Sequence, residues 1–176
     1  MKFIFDLKKN ERPSLCSRCG GKCCKTMPGI VTPSELGMTP REIGRELRRR
    51  LDSGKWALDW WEKDSDLPQT YYLRPAIKGC EGQQRHGSWG GECALLGPSG
   101  CTLSWNERPW GCRDLKPHRL LHPHCTSVTG HGKLAEVRLW LPYQNIIKRI
   151  TGGSDAPEAD EQSPFAQLFA LAGMLP

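Results

Sequence analysis

Apolar positions along this chain come in short blocks, and the period changes from block to block. Thr32-Pro33-Ser34-Glu35 and Thr39-Pro40-Arg41-Glu42 each place a hydroxyl residue, then a proline, then a glutamate three residues after the threonine. That is the signature of a capped helix start. The second opens a helix whose apolar positions are Ile43, Leu47 and Leu51, with arginines on the far side and Ser53-Gly54 at its end. Trp56, Trp60 and Trp61 are spaced to share one face of a further helix, packed into the core. Tyr71, Tyr72 and Leu73 predict a strand, which Pro75 confines to an edge or terminates. Residues 2–5 predict a short strand as well.

The second half is more broken. Residues 79–92 hold five glycines and few apolar residues, which predicts a long loop that is mobile or covers a site. Cys93 to Leu96 reads as a strand entering a Gly97-Pro98-Ser99-Gly100 turn, so that Cys93 and Cys101 face each other across a small hairpin. Thr129 to Gly132 reads as a turn. Ala135, Val137 and Leu139 alternate with polar residues, the period of a strand. Pro142 starts a short helix carrying Ile146, Ile147 and Ile150, stopped by Gly152-Gly153. Residues 153–163 form an acidic linker with Asp155, Glu158, Asp160 and Glu161. Residues 164–176 form an apolar C-terminal helix, which must be buried on its own domain or on a protein partner.

Composition sharpens this picture. Fourteen prolines and nineteen glycines in 176 residues fit a loop-rich single domain over residues 1–152. No run reaches the roughly 18 apolar residues of a membrane span, and the start of the chain lacks a signal-peptide stretch. The expected compartment is therefore the cytoplasm, where thiols stay reduced. The net charge of +6 owes much to Arg45, Arg48, Arg49 and Arg50. It permits contact with nucleic acid, but no motif accompanies it that would make such contact specific.

Nine cysteines are the dominant chemical feature. Cys16, Cys19, Cys23 and Cys24 lie within nine residues, with Gly20 and Gly21 between them. A C-x2-C pair can close on one ion, and the glycines allow the positive φ that turns amides toward the sulfurs. Cys23 and Cys24 are adjacent, so they serve different metal atoms or one is not a ligand. Cys101 and Cys112 are too far apart for a local chelate but suit ligands brought back by folding. Arg108 and Arg113 flank Cys112, where they are expected to lower its thiol pKa. His118, His122, His124 and Cys125 form a further constellation able to complete a second metal site.

The run Cys16-x2-Cys19-x3-Cys23-Cys24, followed by Cys93, Cys101 and Arg108-Pro109-x2-Cys112-Arg113, resembles the YkgJ-type CxxCxxxCC cysteine-cluster family of zinc- or iron-chelating domains. The likeness covers roughly residues 14–117. It departs in the run from Cys101 to Arg108, one residue longer here, with Trp105 at the aromatic position. The resemblance implies that Cys16, Cys19, Cys23, Cys24, Cys93, Cys101 and Cys112 are the cluster cysteines, and it leaves Cys80 and Cys125 outside. A flagellin lysine methylase shares the signature, so the cluster is compatible with group transfer.

Seven thiols exceed the four of one structural zinc site. An iron–sulfur cluster, [4Fe-4S] foremost, is the expected cofactor, with zinc or mononuclear or dinuclear iron as alternatives. The expectation is an α+β protein of short helices and strands wrapped around a cysteine-ligated metal centre. It is a redox or group-transfer component, or else a structural module that binds a protein or nucleic acid. The sequence names no reaction.

Overall fold

A computed structural model describes residues 20–26, 28–87, 91–116, 125–130 and 132–152. The expected strand at 2–5, Cys16, Cys19, His118, His122, His124, His131, the linker 153–163 and the terminal segment 164–176 lie outside these residues. The fold is a small α+β arrangement. Its helices are α1 (Lys22–Thr26), α2 (Pro40–Asp52), α3 (Trp110–Arg113), α4 (Lys133–Arg138) and α5 (Gln144–Ile150). Three two-stranded antiparallel sheets accompany them among the described residues: β1 (Trp56–Trp61) with β2 (Thr70–Pro75), β3 (Leu96–Gly97) with β4 (Gly100–Cys101), and β5 (Leu115–Lys116) with β6 (Thr126–Ser127). No helix of the described residues is long and apolar enough to cross a membrane.

Helix α2 forms as its sequence dictates. The Thr39 hydroxyl accepts from the Glu42 amide at 3.2 Å and the Glu42 carboxylate accepts from the Thr39 amide at 3.0 Å, so two of the orphan donors at the helix start are satisfied. Ile43, Leu47 and Leu51 are buried, and Ser53 caps the other end. The earlier box, at Thr32, closes only the single 3₁₀ turn Pro33–Glu35.

The tryptophan block is a strand, not the expected helix. β1 pairs with β2 in the register Trp56↔Pro75 to Trp61↔Thr70. A run of five apolar residues broken only by Asp59 has no decisive period of its own, and the partner strand settles it. The reverse error falls at 133–138, where the expected strand is helix α4. Val137 in the helix and Trp140 just beyond its end are both buried, and the Trp140 indole N–H donates to the Val31 carbonyl at 2.7 Å. The predicted helix after Pro142 is α5, preceded by the 3₁₀ turn Leu141–Tyr143 and followed by Gly152 at φ 79°.

Both outer edges of the β1–β2 sheet are occupied. On the β1 side, the Leu58 amide donates to the Gln84 carbonyl at 2.8 Å and the Leu58 carbonyl accepts from the His86 amide at 3.2 Å. Gln84 to His86 of the glycine-rich loop therefore line the β1 edge. On the β2 side, the Val31 amide donates to the Leu73 carbonyl at 2.9 Å. The Gln144 side chain then bonds Tyr71 twice, accepting from its amide at 3.0 Å and donating to its carbonyl at 2.9 Å.

Inside this sheet lies a charge. Arg74 is fully buried; its Nε donates to Asp59 Oδ2 at 3.0 Å, and its other nitrogens donate to the Pro75 and His86 carbonyls. Arg74 thus fixes the glycine-rich loop from beneath while β1 supplies the counter-charge.

Candidate functional site

The segment from Gly20 to Val31 runs from the amino-terminal cysteines to the edge of β2. Gly20 and Gly21 have φ of 66° and 68°, as their place among the cysteines predicts. Helix α1 then carries Cys23 and Cys24. The Cys24 carbonyl accepts from the Cys93 amide at 2.7 Å, and Ala94 donates to the Ala76 carbonyl at 2.8 Å. Cys93 is thereby pinned between α1 and the end of β2. Its other pairing is an isolated bridge with Ile77. The expected hairpin is shorter than its sequence suggests: Leu96, not Cys93, pairs with Cys101. The tight Gly97–Gly100 turn leaves room for one pair beyond it.

Cys112 is placed by a close crossing of two backbones. The Gly111 amide donates to the Ile30 carbonyl at 3.0 Å, and the Gly29 amide donates to the Cys112 sulfur. A Cβ on Gly29 would stand 2.5 Å from the Cys112 nitrogen and 2.6 Å from its sulfur; one on Gly111 would stand 2.7 Å from the Ile30 nitrogen. Only glycine permits that approach. Glu35 clamps the crossing from the side. One of its oxygens accepts from the amides of Thr32, at 2.7 Å, and Trp110, at 3.0 Å. The other accepts from the Arg113 guanidinium.

That clamp corrects the expected role of the flanking arginines. Arg113 is engaged by Glu35, and Arg108 stacks over Trp105 with its Nε on the Leu103 carbonyl. The Cys112 thiol is pushed up, not down. Burial is the main cause, the Gly29 amide opposes it, and the charges of Cys93, Cys101 and Cys23 add to it.

Six thiols share one neighbourhood. Cys23 and Cys24 have sulfurs 3.9 Å apart. Cys24 feels the charges of Cys23, Cys112 and Cys93, and Cys93 those of Cys101 and Cys23. A hydrogen bond with Cys125, and then one with Cys24, pull the Cys23 thiol down, while Cys23 and burial push Cys24 up. Burial is also the first cause of a raised Cys93. Cys125 arrives through the β5–β6 ladder, where Lys116 pairs with Thr126. Asp114 secures that hairpin, its carbonyl accepting from Val128 and its Oδ1 from Thr129. Cys125 thus stands beside Cys23, a closure that local spacing does not reveal. Cys80 sits apart in the turn after Ile77.

Among the described residues, no three Cys, His, Asp or Glu side chains are arranged to hold one metal ion. The chemistry of the donor set nevertheless suits one. Thiols crowded out of water raise one another's pKa, so several thiolates can coexist there only around a cation.

Behind the thiols lie two titratable groups that sequence reading did not single out. Lys133 is pulled down to about 8, chiefly by burial, and feels Asp59, Glu136 and Cys112. Glu136 is buried and pushed up from 4.5 to about 7; burial is the main cause, Asp114 and Glu35 add to it, and Lys133 opposes it. An acid whose folded value lies above its unfolded one binds more protons in the fold, so stability falls as pH rises from about 4.5 to 7. Glu136→Gln is expected to flatten that slope and raise stability at pH 8 by about 1–3 kcal/mol. Urea unfolding across this range measures it.

Fold and site together define a small α+β chain with a convergent thiol cluster. Comparisons with protein-family models, curated proteins and solved structures gave no match. The resemblance to the cysteine-cluster family therefore rests on its motif residues alone.

Proposed function

We propose that this chain is a metal protein of the CxxCxxxCC cysteine-cluster type, with an iron–sulfur centre as the first reading and zinc or non-cluster iron as the alternatives. The observation that carries it is the convergence of Cys23, Cys24, Cys93, Cys101, Cys112 and Cys125 from separate segments. Their number exceeds what a core needs for filling. Together with Cys16 and Cys19, they would hold the metal. An iron–sulfur centre would supply electron transfer or a site for group transfer. Lys133 and Glu136, with values near neutrality, are the groups beside it able to hold or release a proton. A reducing, cytoplasmic compartment suits such thiols. The second reading, a structural centre in a module that binds a protein partner, predicts a colourless, saturated zinc site.

Anaerobic purification followed by absorption spectroscopy and iron, zinc and sulfide analysis separates these readings. Cys112→Ser and Cys125→Ser are expected to lower bound metal and melting temperature together, because metal-binding free energy here is folding free energy. Cys80→Ser should change neither. Full metal content and unchanged melting in Cys112→Ser would refute the proposal.

A further inference from the structure

Helices α2 and α5 meet at Gly44, where a Cβ would stand 3.3 Å from Ile146 and 3.9 Å from Ile150. Along this join runs an open groove of about 560 Å³. Its apolar surface comes from Ile146 and Ile150, and its walls carry Arg41, Arg45, Arg48 and Arg149. Among the described residues none of these four arginines forms a salt bridge, whereas Arg49 and Arg50 both bond to Glu46. Asp52 is the one acidic residue on the lining. Such a groove suits an acidic peptide with some apolar content.

We propose that the groove is the docking site for this chain's own acidic stretch, residues 155–161. The last described residues, Thr151 and Gly152, leave the fold at the end of α5, next to Arg149 and Ile150. Asp155 follows three residues after Gly152. From there Asp155, Glu158, Asp160 and Glu161 offer four carboxylates to four guanidinium groups, and no lysine or arginine follows Arg149 to compete. Reach is sufficient: the three residues from Gly152 to Asp155 span up to about 10 Å when extended, and the six from Asp155 to Glu161 about 20 Å more. Arg41 and Arg48 lie only about 10 Å apart along the helix. Tethering makes the effective concentration high, so individually weak pairs add up. A nucleic-acid strand fits less well, because no aromatic side chain lines the groove to stack a base. The acidic stretch thus neutralises the four guanidinium groups along the groove.

The test uses the full-length protein with isoleucine methyl labels. Neutralising the stretch (Asp155→Asn, Glu158→Gln, Asp160→Asn, Glu161→Gln) is expected to shift the Ile146 and Ile150 methyl signals and leave those of Ile30 and Ile77 in place. Raising the salt concentration should reproduce the shift in the wild type. In Arg45→Ala/Arg149→Ala, neutralisation should have little further effect. Unchanged Ile146 and Ile150 signals would overturn the proposal. A shift that grows with protein concentration would overturn it in favour of a second copy's tail. Equal affinity of the wild-type and neutralised chains for single-stranded RNA, mapped to this groove, would overturn it in favour of nucleic acid.

Discussion

Arg74→Met is expected to bring this protein close to unfolding at room temperature. The substitution keeps a long apolar stem but strips Asp59 of its guanidinium and releases the Pro75 and His86 carbonyls. Removing one partner of a buried ion pair costs about 3–5 kcal/mol, because the remaining charge is left in a poorly solvated place. A domain of this size has a total stability of about 5–15 kcal/mol, so the loss is a large share. The companion variant Arg74→Met/Asp59→Leu should recover most of it, since a hydrophobic replacement of both partners is often neutral. Urea unfolding of the single and double variants measures both effects. Amide exchange at Leu58 and His86 should stay fast in the double variant, because Arg74 also holds the glycine-rich loop.

Gly29→Ala is expected to damage the thiol cluster without touching a cysteine. The added methyl would press on the Cys112 nitrogen and sulfur and on the Gly111 carbonyl carbon, at 2.5–2.7 Å. Two of the three are backbone atoms, so no rotamer change relieves the clash. Overpacking of this kind costs roughly 1–3 kcal/mol, occasionally more, and here it also pushes Cys112 out of line with its neighbours. Gly111→Ala should behave alike, against Ile30 and the Glu136 carboxyl. Gly87→Ala is the control: a Cβ there meets nothing within 4 Å, and its effect should stay within about 0.5 kcal/mol. Melting temperature and bound metal, measured side by side, distinguish strain in the fold from loss of the centre.

What the sequence disclosed and what it hid follow a physical division. Helix α2 was legible because caps, apolar period and terminal glycine all agree locally. The α+β class and the turn at Gly97–Gly100 were legible for the same reason. The tryptophan strand and helix α4 were misread because short apolar runs fit either period, and the decision comes from pairing with β2. At the site, Cys23 and Cys24 stood out by spacing, and Cys93, Cys101 and Cys112 through the resemblance to the cysteine-cluster family. The closeness of Cys125 to Cys23 depends on the β5–β6 hairpin closing over a long insertion, which no local pattern encodes. Arg74 was hidden in plain view between Leu73 and Pro75: an arginine in an aromatic strand reads as surface until Asp59 is seen diagonally across on β1. The roles of Arg108 and Arg113 were misjudged because proximity in sequence to Cys112 says nothing of Glu35 or Trp105, which claim them.

The pair of hydrogen bonds between Gln144 and Tyr71 has an effect on what the molecule can join. A two-stranded sheet ordinarily presents two rows of vacant amides and carbonyls, a template on which another chain can add a strand. Here Gln84 and His86 cover one side, and Val31 with the Gln144 carboxamide covers the other. Strand addition is therefore blocked at Leu58 on one margin and at Tyr71 and Leu73 on the other, which shortens the template the sheet presents.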